Sequence, residues 1–144
     1  MTNGCAAQLG RPSTDPPRDI SARIAAFADR VIRLSFALPQ NPAGWEIGKQ
    51  IVRAGMSVGA NVEEAQAGES KADFLHKLRI ARKECRETRY FLERIVNAEL
   101  IVRERMEPLI DESDQLVRIL TSIICNTGGG SREGSAKDAS AHQA

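Results

Sequence analysis

The stretch that decides the fold is Gln50–Val96, QIVRAGMSVGANVEEAQAGESKADFLHKLRIARKECRETRYFLERIV, which reads as two long helices meeting at Gly68-Glu69. In its second half Phe74, Leu78, Ala81, Cys85, Thr88, Leu92 and Ile95 recur at spacings of 4 and 3. That period puts them on one side of an α-helix, as a seam suited to near-parallel helix packing. The other side carries Arg79, Arg82, Lys83, Arg86 and Arg94, with Tyr90 among them. From Lys71 to Arg94 there are eight Lys/Arg against four Asp/Glu, a local net of +4. An apolar seam backed by a basic stripe is the most informative feature of the chain.

Upstream, Ile47, Ile51, Ala54, Gly55, Val58, Val62 and Ala65 share one helical face, with Trp45, Val52 and Met56 as a second apolar strip beside it. Asn41-Pro42 supplies the start, a capping side chain followed by proline at the first helical position. Gly55 and Gly59 would each cost roughly 1 kcal/mol relative to alanine in a helix. They imply close approach of a neighbouring helix, or a bend at Gly59. Gly68 is placed to end this helix, and Ser70 with Asp73 resembles an N-terminal cap for the next, which runs to about Asn97.

Outward from this pair, a first helix is expected from near Asp19 or Ser21, with Ile20, Ile24, Phe27, Val31, Leu34 and Leu38 as its stripe. It should stop before Pro39, because the residue preceding a proline is pushed out of the helical region. A last helix carries Met106, Leu109, Ile110, Ser113, Leu116, Leu120 and Ile123. Pro108 either kinks that helix or marks a start near Glu107. Glu99–Asp114 holds six acids and two arginines, a local net of −4. Residues 1–18 and 128–144, rich in Gly, Pro, Ser and Asp, are expected to be disordered flanks of one domain spanning 19–127. Four amphipathic helices with short connections predict an all-α, up-down-up-down antiparallel four-helix bundle.

Composition narrows the function. The formal net charge of the 144 residues is only +1, so attraction for a polyanion must come from how the charge is distributed. Cys5, Cys85 and Cys125 form neither a disulfide framework nor a zinc spacing, and free thiols suit a reducing cytoplasm. The proline-bearing N-terminal stretch, with Pro12, Pro16 and Pro17 and no apolar run, is not expected to act as a signal peptide, and no stretch approaches the about 18–20 apolar residues of a membrane span. His76 and His142 stand alone, so neither a triad nor a Glu-x-x-His metal bundle can be assembled. Gly128–Gly130 follows a helix rather than preceding one, unlike a phosphate loop. The expectation is a protein that is not an enzyme and has no metal or cofactor.

Two motif runs carry a family resemblance. The first is Gln50-Ile51-x-Arg53-Ala54 leading into Ser57-Val58-x-x-Asn61-Val62-x-Glu64. The second is Ser70-Lys71-x-x-Phe74-Leu75-x-x-Leu78-x-Ile80-Ala81, then Glu87. Together they resemble the bacterial four-helix-bundle family of 23S rRNA intervening-sequence proteins, which also looks related to the accessory variability determinant of diversity-generating retroelements. The likeness covers residues 20 to 126. It implies a cytoplasmic, ring-like homopentamer. In the retroelement relatives a basic surface faces nucleic acid and a reverse transcriptase. Gly59 stands where the family's second helix usually has proline.

The site expected on these grounds is Arg79, Arg82, Lys83, Arg86 and Tyr90, binding RNA or DNA phosphates and bases, with Lys49 and Arg53 as weaker additions. The competing expectation is a structural or protein-binding scaffold whose stripe pairs with the acidic last helix of a neighbouring subunit. Asn61 and Glu64 are expected to be structural, making buried hydrogen bonds to a neighbouring helix or subunit. Trp45, Val52, Met56, Leu75, Ile80 and Phe91 flank the seams. They amount to more apolar surface than one compact bundle needs, which suggests subunit contacts.

Overall fold

The structure, a computed structural model, describes residues 16–128. Four helices follow in order: α1 (Pro16–Ser35), α2 (Pro42–Gln66), α3 (Lys71–Asn97) and α4 (Arg103–Thr127). The connections at 36–41, 67–70 and 98–102 are short, so each helix must run back beside the last. The bundle of the sequence reading is the fold.

Local chemistry explains most boundaries. Asn41 Oδ1 accepts from the Gly44 N–H at 2.9 Å and Pro42 opens α2, so the expected start is realised. Ser70 Oγ accepts from the Asp73 N–H at 3.1 Å and caps α3. α1 begins at Pro16, earlier than Asp19 or Ser21, so residues 16–18 belong to the helix rather than to a leader. A first turn has no use for backbone donors, which is why prolines are tolerated there. The rest of the expected leader, with Cys5, and residues 129–144 of the expected tail lie outside the described residues.

Two other ends depart from expectation. α2 closes on Ala67 in right-handed geometry, with Gly68 beyond it and not in the left-handed region. α3 closes in the manner expected of a glycine, but on Glu99, whose φ is 58°. The Leu100 N–H donates to Ile95 O and the Glu99 N–H to Val96 O, both at 3.0 Å. That pair of bonds is a Schellman motif with a glutamate in the left-handed position. α4 starts at Arg103 rather than Glu107, its cap residue Val102 offers no side-chain bond, and Pro108 lies inside the helix.

The core runs the length of the bundle. Ile24, Phe27 and Val31 of α1 and Ile51, Val58 and Val62 of α2 are buried. They meet Leu78, Cys85, Leu92 and Ile95 of α3 and Met106, Leu116 and Leu120 of α4. The period of α3 is as read, except that Leu75 rather than Phe74 is fully buried. On α4 Ile124 replaces Ile123, and on α1 Leu34 is only half-buried. Thr88 and Ser113 are buried without cost because their hydroxyls donate to Glu84 O and Ile110 O within their own helices.

The glycines of α2 report close approach. A Cβ on Gly55 would lie 3.0–3.3 Å from three Val31 atoms, so α1 leans on α2 at that point. Gly59 is looser, with Ile24 Cγ2 at 3.4 Å. Gly44 is the tightest: its Cβ would meet Pro39 O at 1.9 Å.

Candidate nucleic-acid interface

On α3, side chains three or four apart lie on one face. Opposite the buried seam this gives an outward edge of His76, Arg79, Lys83, Arg86, Tyr90 and Arg94, every one exposed. No acid interrupts it. The acids of α3 beyond its first turn, Glu84, Glu87 and Glu93, are turned to the flanks and half-buried.

Those flanks are where ion pairing takes place. Towards α2, Glu64 holds Lys77 at 2.6 Å and Arg53 holds Glu87 at 3.6 Å. Towards α4, Arg103 meets Glu93 at 3.3 Å and Arg89 meets Asp114. On the far side, Arg23 makes a two-pronged bond to Glu112, at 3.1 and 2.8 Å, and also reaches Gln115. Each pair joins two helices. Among the described residues, Arg79, Lys83 and Arg86 enter no ion pair. Arg23, Arg53, Lys77, Arg89 and Arg103 thus fasten helices to one another, while Arg79, Lys83 and Arg86 are left to the solvent.

Tyr90 is 59% exposed on this edge. The Arg94 guanidinium lies 5.2 Å from its ring centroid, a cation–π distance. Phe91 meets it edge-on with centroids 5.9 Å apart. The ring is thus both open and held.

The other expected residues are spread more widely. Arg82 is half-buried on the α4 flank, where Nη1 donates to Thr121 Oγ1 at 3.5 Å. Arg53 is exposed but committed to Glu87. Lys49 lies on α2 beside a cavity of about 410 Å³ that Trp45, Val52, Leu38 and Gln40 also line. Asn61 is half-buried, and its amide donates to Ser57 O and Oγ one turn back in α2. Glu64 does reach a neighbouring helix, but at the surface. Within one chain neither makes a buried hydrogen bond to another helix: Asn61 bonds inside α2, and Glu64 meets α3 only at the surface.

Sequence reasoning missed Arg118. The pairs Arg82–Thr121 and Arg89–Asp114 fix the register of α3 against α4, and this register sets the exposed Arg118 level with Arg86. It lies just past the acidic run of α4, and only the three-dimensional pairing brings it to the edge.

Cys85 is buried in the seam, and its thiol donates to Ser113 O at 3.5 Å. Burial first, then the nearby Asp114 and Glu112 charges, push it up to about 12, so it is an inert core thiol. Among the described residues no cluster of three or more His, Cys, Asp or Glu could hold a metal ion. Nor, among them, is any helix long and apolar enough to cross a membrane.

The family model described as 23S rRNA-intervening sequence protein matches residues 19–141. The chain is also similar to a crystal structure from Bacteroides thetaiotaomicron, described as a protein with unknown function from the S23 ribosomal protein family. Identity is 38%, the match covers 76% of this chain and 97% of that one, and the TM-score is 0.71. No curated protein matches the chain.

Proposed function

The chain belongs to the 23S rRNA-intervening sequence protein family, and from that premise we propose that it is a non-enzymatic, self-associating bundle that binds nucleic acid along α3. The observation that carries the reading is the acid-free outward edge. Arg79, Lys83 and Arg86 stay unpaired among the described residues, while Arg53, Arg89 and Arg103 on the flanks are matched across helices. Unpaired cations in a row give affinity for phosphates without reading sequence. Arg118 widens the patch, and Arg82 joins it only at its α4 margin. A reverse transcriptase, the partner implied by the resemblance to the retroelement determinant, would be a further partner of the bundle.

Self-association into the pentamer that the family resemblance implies is supported by large apolar side chains left open on α2 and the loop before it. Phe36 is 77%, Trp45 59% and Met56 52% exposed. Exposed apolar surface of this kind marks contact sites. Trp45→Lys with Met56→Lys should reduce the mass measured by light scattering to that of one chain.

The test of binding is titration of the full chain against a labelled rRNA hairpin over a range of salt. Several neutralised phosphates should give a steep loss of affinity with salt. Lys83→Glu with Arg86→Glu should abolish binding and leave the oligomer intact. A second reading has its own observation: Glu104, Glu107 and Asp111 are exposed on α4 and could pair with the α3 edge of another copy. Under that reading the same charge reversal would dissociate the oligomer, and no hairpin would bind.

A further inference from the structure

We infer that the outward edge of α3 accepts an unpaired nucleic-acid strand rather than a duplex, with Tyr90 as the platform for one base. This rests on the nucleic-acid reading above and narrows it to a substrate class.

The surroundings of α3 disfavour a duplex. A helix that reads a major groove must stand proud of its neighbours, since the groove is only about 12 Å wide. Here α2 and α4 flank α3, joined to it by Arg53–Glu87 on one side and by Arg89–Asp114 and Arg103–Glu93 on the other. The last two pairs bring the acid-bearing half of α4 alongside the half of α3 that holds Tyr90 and Arg94. Glu104, Glu107 and Asp111 are exposed on that part of α4. A duplex laid over Tyr90 would carry its second backbone across these carboxylates, where like charges repel. One strand following the α3 edge avoids them.

Tyr90 supplies the positive reason. Its ring is the largest aromatic surface on the edge, which also carries His76 at its start, and it is held between Arg94 and the edge-on Phe91. A stacking surface can be used only by a base not already stacked and paired in a helix. The cations suit the same ligand. Arg79, Lys83 and Arg86 follow one another at about one helical turn, Arg94 lies about two turns further on, and from first to last they span about 22 Å. That length serves a short run of nucleotides, near the lower end of single-strand site sizes. No Asn or Gln lies on the edge to read a base, so recognition should be tolerant of sequence.

The test uses the full chain and three fluorescent probes of about 12 nucleotides, a length within known site sizes. They are an oligoadenylate, the same strand paired to its complement, and an abasic strand with the same number of phosphates. At low salt the single strand should bind about ten-fold tighter than the duplex or the abasic strand. Its log–log salt slope should be about −2 to −3, from three or four phosphates. Tyr90→Ala should remove most of the single-strand advantage and leave duplex and abasic binding unchanged. Tyr90→Phe should retain the advantage. If the duplex binds as tightly as the strand, or Tyr90→Ala weakens all probes alike, the inference fails while the nucleic-acid reading stands. If the folded protein binds none of the three, both fail.

Discussion

Replacing Glu99 with glycine should stabilise the protein, contrary to the usual effect of a point substitution. Glu99 holds a φ of 58° at the end of α3, pinned by the bonds from its own N–H and that of Leu100 to Val96 and Ile95. An L-residue in that conformation costs roughly 1–2 kcal/mol, because Cβ crowds the following carbonyl. Glycine escapes this but gives back roughly 0.5–1 kcal/mol in chain entropy. The net gain is about 0.5–1 kcal/mol, which for a domain of this size is roughly 2–4 °C in Tm. Charge is a second cause to be separated, since an acid at the negative end of a helix is itself unfavourable. Glu99→Ala removes the charge and keeps the strained Cβ; Glu99→Asn removes the charge and tolerates the conformation. Melting should be followed by circular dichroism at one fixed protein concentration, because association would shift Tm. The expected order is Gly above Asn, with Ala close to the parent. If Ala gains as much as Gly, the backbone argument is refuted and charge explains the effect.

Gly44→Ala should cost several kcal/mol, since the added carbon would lie 1.9 Å from Pro39 O and either the loop or the first turn of α2 must move; urea unfolding reads this directly. Gly55→Ala should cost about 1–3 kcal/mol by crowding Val31, and Val31→Ala added to it should recover part of the loss, a coupling that a double-mutant cycle measures. Cys85 has a raised thiol pKa, from 9.0 to about 12, so its contribution is full below pH 9 and is lost as the unfolded chain ionises between those values. Stability should therefore fall through that window by about 1 kcal/mol per pH unit more steeply than in Cys85→Ala. In a Cys5→Ser background one thiol, the exposed Cys125, should react with a thiol reagent in the native protein and two after unfolding.

The long periodic runs were legible because burial follows helical spacing directly: the α3 seam from Leu78 to Ile95 reads the same in sequence and structure. Caps with a donor or acceptor side chain, Asn41 and Ser70, were legible for the same local reason. The turn at Glu99 was not, because its conformation is imposed by the backbone bonds of α3 and the burial of Leu100's surroundings rather than by the residue's preference. Gly68 misled in the opposite sense, a permissive residue at a place where ordinary geometry suffices. For the site, the sequence supplied which residues are basic but not which are already engaged. Arg82 looks equivalent to Lys83 and Arg86 until Thr121 is seen to hold it, and Arg53, the weaker candidate, turns out to be held by Glu87. Arg118 is separated from the stripe by a whole acidic segment and joins it only through the register of α4.

The start of α4 has a consequence for how the molecule breathes. Val102 contributes no capping bond, and Pro108 cannot donate to the carbonyl of Glu104, so the turn from Arg103 to Glu107 is weakly fastened at both ends. Amide exchange there should proceed through a small local opening far below the global unfolding energy, while Leu116 to Ile124 stay protected. Each opening unlatches Arg103 from Glu93 and for a moment carries two arginines and two glutamates away from α3. The surface beside Tyr90 would then alternate between two charge patterns on the timescale of that opening.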